Sequence, residues 1–153
     1  MSHYRERLSP SLWVLASTAL VIPASMIVFA PLPGVPGLLV GLVVGLVLYA
    51  GVLALLIGLA PVIEVEGGRL RVGRAAIPIE LLGDCEAFAR EEATAERGPR
   101  LDARAYLCIR GWIGPVVRMR IADPQDPTPY WLVSTRRPGD LVEALKGAGR
   151  RAA

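Results

Sequence analysis

From residue 8 to residue 63 the chain has no Asp, Glu, Lys, Arg or His, a run of 56 positions, and beyond it polar and apolar residues alternate in short stretches. A soluble protein of 153 residues has no interior able to hide such a run, whereas about 20 apolar residues cross the hydrocarbon of a bilayer as one helix. Two spans are therefore predicted, over 12–30 and 38–60. At about 1.5 Å per residue they reach roughly 28 Å and 34 Å, enough to cross. Pro31 to Gly37, with three prolines and two glycines, ends the first helix and turns the chain around. Pro23 predicts a kink inside the first span, which lipid tolerates because neighbouring groups re-satisfy the freed carbonyl. A cleaved signal peptide is the competing reading. Against it, the apolar stretch exceeds the usual limit of about 15 residues and a second span follows.

Val62 to Glu66 and Arg69 to Val72 alternate on either side of Gly67-Gly68, the pattern of a tight β-hairpin. That register sets Glu66 opposite Arg69, Val65 opposite Leu70, Glu64 opposite Arg71 and Ile63 opposite Val72, with the charges on one face. Further strands are predicted at 75–79, 85–89, 103–109, 116–121 and 130–135. Arg118 and Arg120 alternate with Val117, Met119 and Ile121, giving one wet and one dry face. Tyr130 to Val133 is apolar on both faces, as in a strand covered on both sides. Residues 91–97 form a short helix that Gly98-Pro99 ends. From Pro138 the period changes: Asp140 and Glu143 suit a helix N-terminus, Lys146 its other end, and Leu141, Val142, Leu145 and Ala148 make an apolar stripe.

The predicted architecture is an α+β membrane protein with three parts: an N-terminal arm, 1–11; a two-helix transmembrane hairpin, 12–60; and a small, mainly antiparallel β domain with a C-terminal helix, 61–153. Seven short strands and then one helix is the element order of pleckstrin-homology-like domains. A smaller open sheet with one helix is the alternative.

Charge adds orientation. The chain carries net charge +3, and 28 of its 31 Lys, Arg, Asp and Glu lie after the second span. Arg5 and Arg7 precede the first span, Arg69, Arg71 and Arg74 follow the second, and the turn between has none, so both termini are expected in the cytoplasm. With Arg136 and Arg137, whose corner offers guanidinium forks and helix amides to an anion, these arginines make a candidate basic rim for anionic lipid. Gly37, Gly41 and Gly45, continued by Ala50, Ala54 and Gly58, form a small-residue stripe suited to close helix packing, within the hairpin or against a membrane partner or second copy.

Candidate chemistry is sparse. The single histidine, His3, lies in the expected flexible arm, so the head has no imidazole for a catalytic triad. Cys85 and Cys108 stand 23 positions apart with no second ligand pair and read as small core residues. Asp123 and Asp126 alternate with prolines in a segment that reads as a hairpin loop and not a metal site. No phosphate-binding glycine loop occurs, no aromatic residues interleave with a basic face, and neither cofactor nor nucleic acid is expected.

The YRERL arm, the I-E-V-x-G-G-x-L-R-V hairpin and above all DPQDPTPYWLVSTRRP, Asp123 to Pro138, resemble the small actinobacterial membrane proteins of domain-of-unknown-function family 3093. The resemblance covers nearly the whole chain. It implies a membrane-bound protein of a high-GC bacterium, consistent with 16 arginines against one lysine, and assigns no reaction, ligand or catalytic residue. The expected function is a non-enzymatic adaptor at the inner face of a bacterial plasma membrane, binding protein or anionic lipid. The alternatives are a small accessory subunit of a transport or envelope-biogenesis complex, and an enzyme of envelope metabolism using Asp123, Asp126, Ser134 and the arginine pair.

Overall fold

The computed structural model describes residues 4–33 and 36–152, which form two units: 9–60, and a head built from 4–8 together with 61 onward. His3 and, in the proline-rich turn, Gly34 and Val35 lie outside the described residues.

The first unit contains α1 (Leu12–Thr18), α2 (Val21–Phe29) and α3 (Gly37–Gly58). Pro23 has no amide to give Ala19, so the helix breaks just before it. Ala19 O instead accepts from Ile22 N at 3.0 Å, and Ala19 N and Leu20 N also turn to acceptors three residues back. The break deprives Leu15 O of its usual amide. Thr18 Oγ1 donates to it at 2.9 Å and Tyr49 Oη of α3 at 3.2 Å, so the kink is repaired locally and across the hairpin.

Gly37, Gly41 and Gly45 are buried on α3 against α2. A Cβ at Gly41 would stand 2.5 Å from Met26 Cα, and one at Gly45 2.8 Å from Ile22 Cα, so only hydrogen fits. Ala50, Ala54 and Gly58 are exposed, and a Cβ at Gly58 would meet nothing within 4 Å. The small-residue stripe is thus two features, one spent inside the hairpin and one left outside. Between α2 and α3 the outward surface is apolar: Ile27 is 73% exposed, Val47 66% and Leu55 61%.

The head contains two four-stranded sheets. Sheet one has the order β1 (Tyr4–Arg7), β2 (Val62–Glu66), β3 (Arg69–Val72), β4 (Ala75–Pro78), all antiparallel. The β2–β3 register is the one expected from alternation. Gly67 and Gly68 both have positive φ, which glycine supplies without a Cβ clash. Sheet two contains β5 (Leu82–Phe88), β6 (Tyr106–Cys108), β7 (Val116–Ile121) and β8 (Tyr130–Ser134), in the order β5, β7, β8, β6 with β6 and β8 parallel. Ile63, Val65, Leu70 and Val72 share one core with Val117, Met119, Trp131 and Val133, and Leu141 and Leu145 of α5 (Pro138–Ala152) pack into it.

Three expectations change. The N-terminal arm is not flexible at Tyr4–Arg7: it is the edge strand β1, paired with β2. β6 begins at Tyr106 because Asp102 accepts from Arg104 N at 2.9 Å and holds 102–104 in a turn. Arg118 is only partly exposed, because α4 (Arg90–Arg97) packs Ala93 against Val116 and Leu132 on that face of sheet two, and only Arg120 stays wet.

Candidate functional site

Alternation along β1 turns Arg5 and Arg7 outward and buries Tyr4 and Glu6, which are 5% and 7% exposed. A buried carboxylate is costly unless its oxygens are filled. Here they are. Tyr4 Oη donates to Glu6 Oε2 at 2.6 Å, Thr135 Oγ1 donates to the same oxygen, and Arg136 N donates to Oε1 at 2.9 Å. Burial alone would push the Glu6 pKa up, but the bonds from Thr135, Tyr4 and the Arg136 amide together hold it below its ordinary value.

Thr135 and Arg136 lie between β8 and α5, so the cluster ties the start of the chain to the strand-to-helix corner near its end. Thr135 Oγ1 also accepts from Arg137 N at 3.1 Å. The two guanidiniums finish the clasp along the free edge of β1: Arg136 donates to Arg7 O at 3.4 Å and Arg137 to Arg5 O at 3.1 Å. Arg137 also stands 5.0 Å over the Tyr4 ring and 3.9 Å from Asp140.

Tyr4 makes the clasp sensitive to alkali. Burial first, and the hydrogen bond to the Glu6 carboxylate second, raise its pKa from 10.0 to about 12. The folded head therefore holds this proton more tightly than the unfolded chain does. The associated stability is complete below pH 10 and is lost as pH rises through 12. Urea midpoints of the wild type measured from pH 9 to 12 should fall more steeply than those of Tyr4→Phe, and parallel curves would show that Tyr4 is not held this way.

The seven expected basic residues are all exposed, in differing surroundings. Arg5, Arg7, Arg69 and Arg71 are exposed on the outer face of sheet one, interleaved with Glu64 and Glu66 in the rows Arg5–Glu64–Arg71 and Glu66–Arg69, with Arg5 Nε 3.9 Å from Glu64. Arg74 is exposed in the turn before β4, close to the end of the sheet where Arg7 and Val62 pair. Arg136 and Arg137, also exposed, lie along the edge of β1 beside Arg5 and Arg7.

The aspartates and the arginine pair lie at opposite ends of β8, a five-residue strand that spans roughly 17 Å. Asp123 accepts from Gln125 N and Asp126 from Thr128 N, both at 2.9 Å, so these carboxylates shape their own loop. Among the described residues no group of His, Cys, Asp and Glu is arranged to hold a metal ion. Cys108 is buried, while Cys85 is half-buried.

Sequence reasoning missed the clasp and also a second buried carboxylate. Glu96 of α4, 1% exposed, accepts from Arg118 at 2.9 Å and Arg100 at 3.4 Å; Arg118 also pairs with Glu86 and lies 5.0 Å over Phe88. The available signal was Glu96 three positions after Ala93, one helical turn on the same face.

These features define an α+β protein whose β-rich head is interrupted, after its first strand, by two helical segments long and apolar enough to cross a membrane. The family model of proteins of unknown function DUF3093 matches residues 3–145, and the chain belongs to that family. Comparison with curated proteins and with solved structures finds no match. The YRERL and DPxDPTPYWLVSTR blocks are the segments that meet in the clasp.

Proposed function

We propose that this chain is an integral membrane protein that crosses the bacterial plasma membrane twice and presents a non-enzymatic adaptor head, pleckstrin-homology-like in element order, at the inner face. One observation carries the reading. Leu8 N donates to Pro61 O at 2.9 Å and Arg7 pairs with Val62, so the two ends of the apolar segment 9–60 are joined in one sheet. A segment that crosses a bilayer and begins and ends in one domain must cross an even number of times, and two spans satisfy this. Only 6% of the first span and 11% of the second is buried, which suits hydrocarbon as solvent and not a protein core. Loss of the N-terminal segment by cleavage would remove β1 from its sheet.

The outer face of sheet one, with four arginines against two glutamates, favours anionic headgroups on the cytoplasmic leaflet at roughly 1 kcal/mol per arginine close to the surface. The exposed row Ala50, Ala54, Gly58 favours a second reading, an accessory subunit packed against another membrane helix.

Carbonate extraction should leave the full-length protein in the membrane pellet. In a Cys85→Ser background, a cysteine at Leu32 should react with an impermeant maleimide added to intact spheroplasts, and one at Arg71 only after lysis. A protein released into the supernatant, or both cysteines labelled from one side, overturns the topology.

A further inference from the structure

The charges on the outer face of sheet one change along its strands. The row beside the apolar segment pairs Arg7 with Val62, and Val62 O accepts from Gly73 N at 2.9 Å, which brings the Gly73-Arg74 turn next to that row. A Cβ at Gly73 would meet Pro61 Cβ at 3.4 Å, so this turn lies against the residue at which the head resumes. Arg136 reaches the same place from the corner between β8 and α5, donating to Arg7 O at 3.4 Å. All three arginines are exposed. Glu6 lies 3.9 Å from Arg136 but is buried, with its oxygens filled by Tyr4, Thr135 and the Arg136 amide. The next two rows are Arg5–Glu64–Arg71 and Glu66–Arg69, so outward glutamates accompany the arginines only from the second row onward.

The first row is also the one tied to the apolar helices. Arg7 stands five positions before Leu12, the first residue of α1, and Val62 four positions after Gly58, the last of α3. At about 3.6 Å per residue these connections reach at most about 18 Å and 14 Å, even when fully extended. Arg69 is at the other end of the β2–β3 hairpin, opposite Glu66, which is four residues along β2 from Val62 and so about 13 Å away. That exceeds the roughly 8 Å over which exposed charges are screened at physiological ionic strength.

We propose that Arg7, Arg74 and Arg136 bind the phosphodiester headgroup of an anionic phospholipid of the bilayer that holds the apolar helices, and that the rows bearing Glu64 and Glu66 take no part. Guanidinium forks match the oxygens of a phosphate, and three of them on one row meet a monoanionic headgroup without an outward carboxylate to repel it. The ligand comes from the bilayer because the same row is where the chain leaves the head for its spans. The proposal rests on the membrane-anchored reading and names the lipid-binding residues and the chemistry they bind.

Native mass spectrometry of the full-length protein in neutral maltoside micelles measures dissociation constants for phosphatidylglycerol, for phosphatidylcholine and for glycerophosphoglycerol, the first lipid's headgroup without its acyl chains. Phosphatidylglycerol should bind about tenfold more tightly than either of the others, or better. Arg7→Gln combined with Arg74→Gln should weaken it by about tenfold or more, whereas Arg69→Gln combined with Arg71→Gln, which removes the same charge, should change it by less than about twofold. Unchanged urea unfolding shows that the head is intact. Where Arg7→Gln disturbs β1, Arg74→Gln alone, in an exposed turn, should weaken binding about fivefold. The proposal is overturned by equal affinity for the two lipids, by equal binding of the deacylated headgroup, by equal losses in the two paired variants, or by insensitivity to Arg74→Gln. Any of these in a protein that still resists carbonate extraction removes the lipid site and leaves the membrane-anchored reading standing, whereas release by carbonate removes the anchor itself.

Discussion

Glu6→Ala is expected to lower the unfolding free energy of the head by about 3–5 kcal/mol, the usual cost of breaking a buried charged network by removing one partner. The substitution leaves the Tyr4 and Thr135 hydroxyls and the Arg136 amide without the acceptor they share, in a place water does not reach. Domains of this size have about 5–15 kcal/mol in total, so the loss is large. Urea titration of the full-length protein in micelles, followed by tryptophan fluorescence, measures it. Thr135→Val should cost less in the Glu6→Ala background than in the wild type, because the two act on one network. A loss under about 1 kcal/mol for Glu6→Ala would mean the clasp contributes little. The pH dependence has a definite sign. The Glu6 pKa is lowered from 4.5, so its contribution is present above pH 4.5 and disappears as pH falls through the lower, folded value.

Gly41→Leu is the second large effect. Its Cβ would lie 2.5 Å from Met26 Cα and 2.7 Å from Ser25 O, backbone atoms that no rotamer change can move, so α2 and α3 must part. Overpacking of this kind costs about 1–3 kcal/mol or more. Gly51→Leu is the matched control, since a Cβ there meets nothing within 4 Å. Thermal aggregation in detergent should begin at a clearly lower temperature for Gly41→Leu than for Gly51→Leu, with the urea transition of the head unchanged in both. Equal onset temperatures would show that the glycine row is not a packing seam.

The clasp was hard to read for a definite reason. Tyr4-Arg5-Glu6-Arg7 does alternate, but four residues are too few to signal a strand, and the partner strand follows only after the apolar segment 9–60. The arginine pair has a tertiary role of the same kind. Composition marks Arg136 and Arg137 as cations, and only the fold shows that backbone carbonyls of β1 stand within reach of both. Glu96 and Arg118 follow the same logic, since a charge on an alternating strand reads as wet until a helix is found to cover it.

Local rules determined the two apolar helical segments, the kink before Pro23, the Gly67-Gly68 hairpin with its register, all seven strands after residue 61 and the terminal helix. Each rests on neighbours within a few residues, where hydrophobic period, proline and glycine act directly. The tertiary structure alone decided that the chain's first strand completes the sheet built beyond the hairpin, that β6 runs parallel to β8, and that half of the small-residue row is spent inside the hairpin. Those outcomes depend on which distant groups satisfy one another's hydrogen bonds and fill one another's space, and neither quantity is carried by any single stretch of residues.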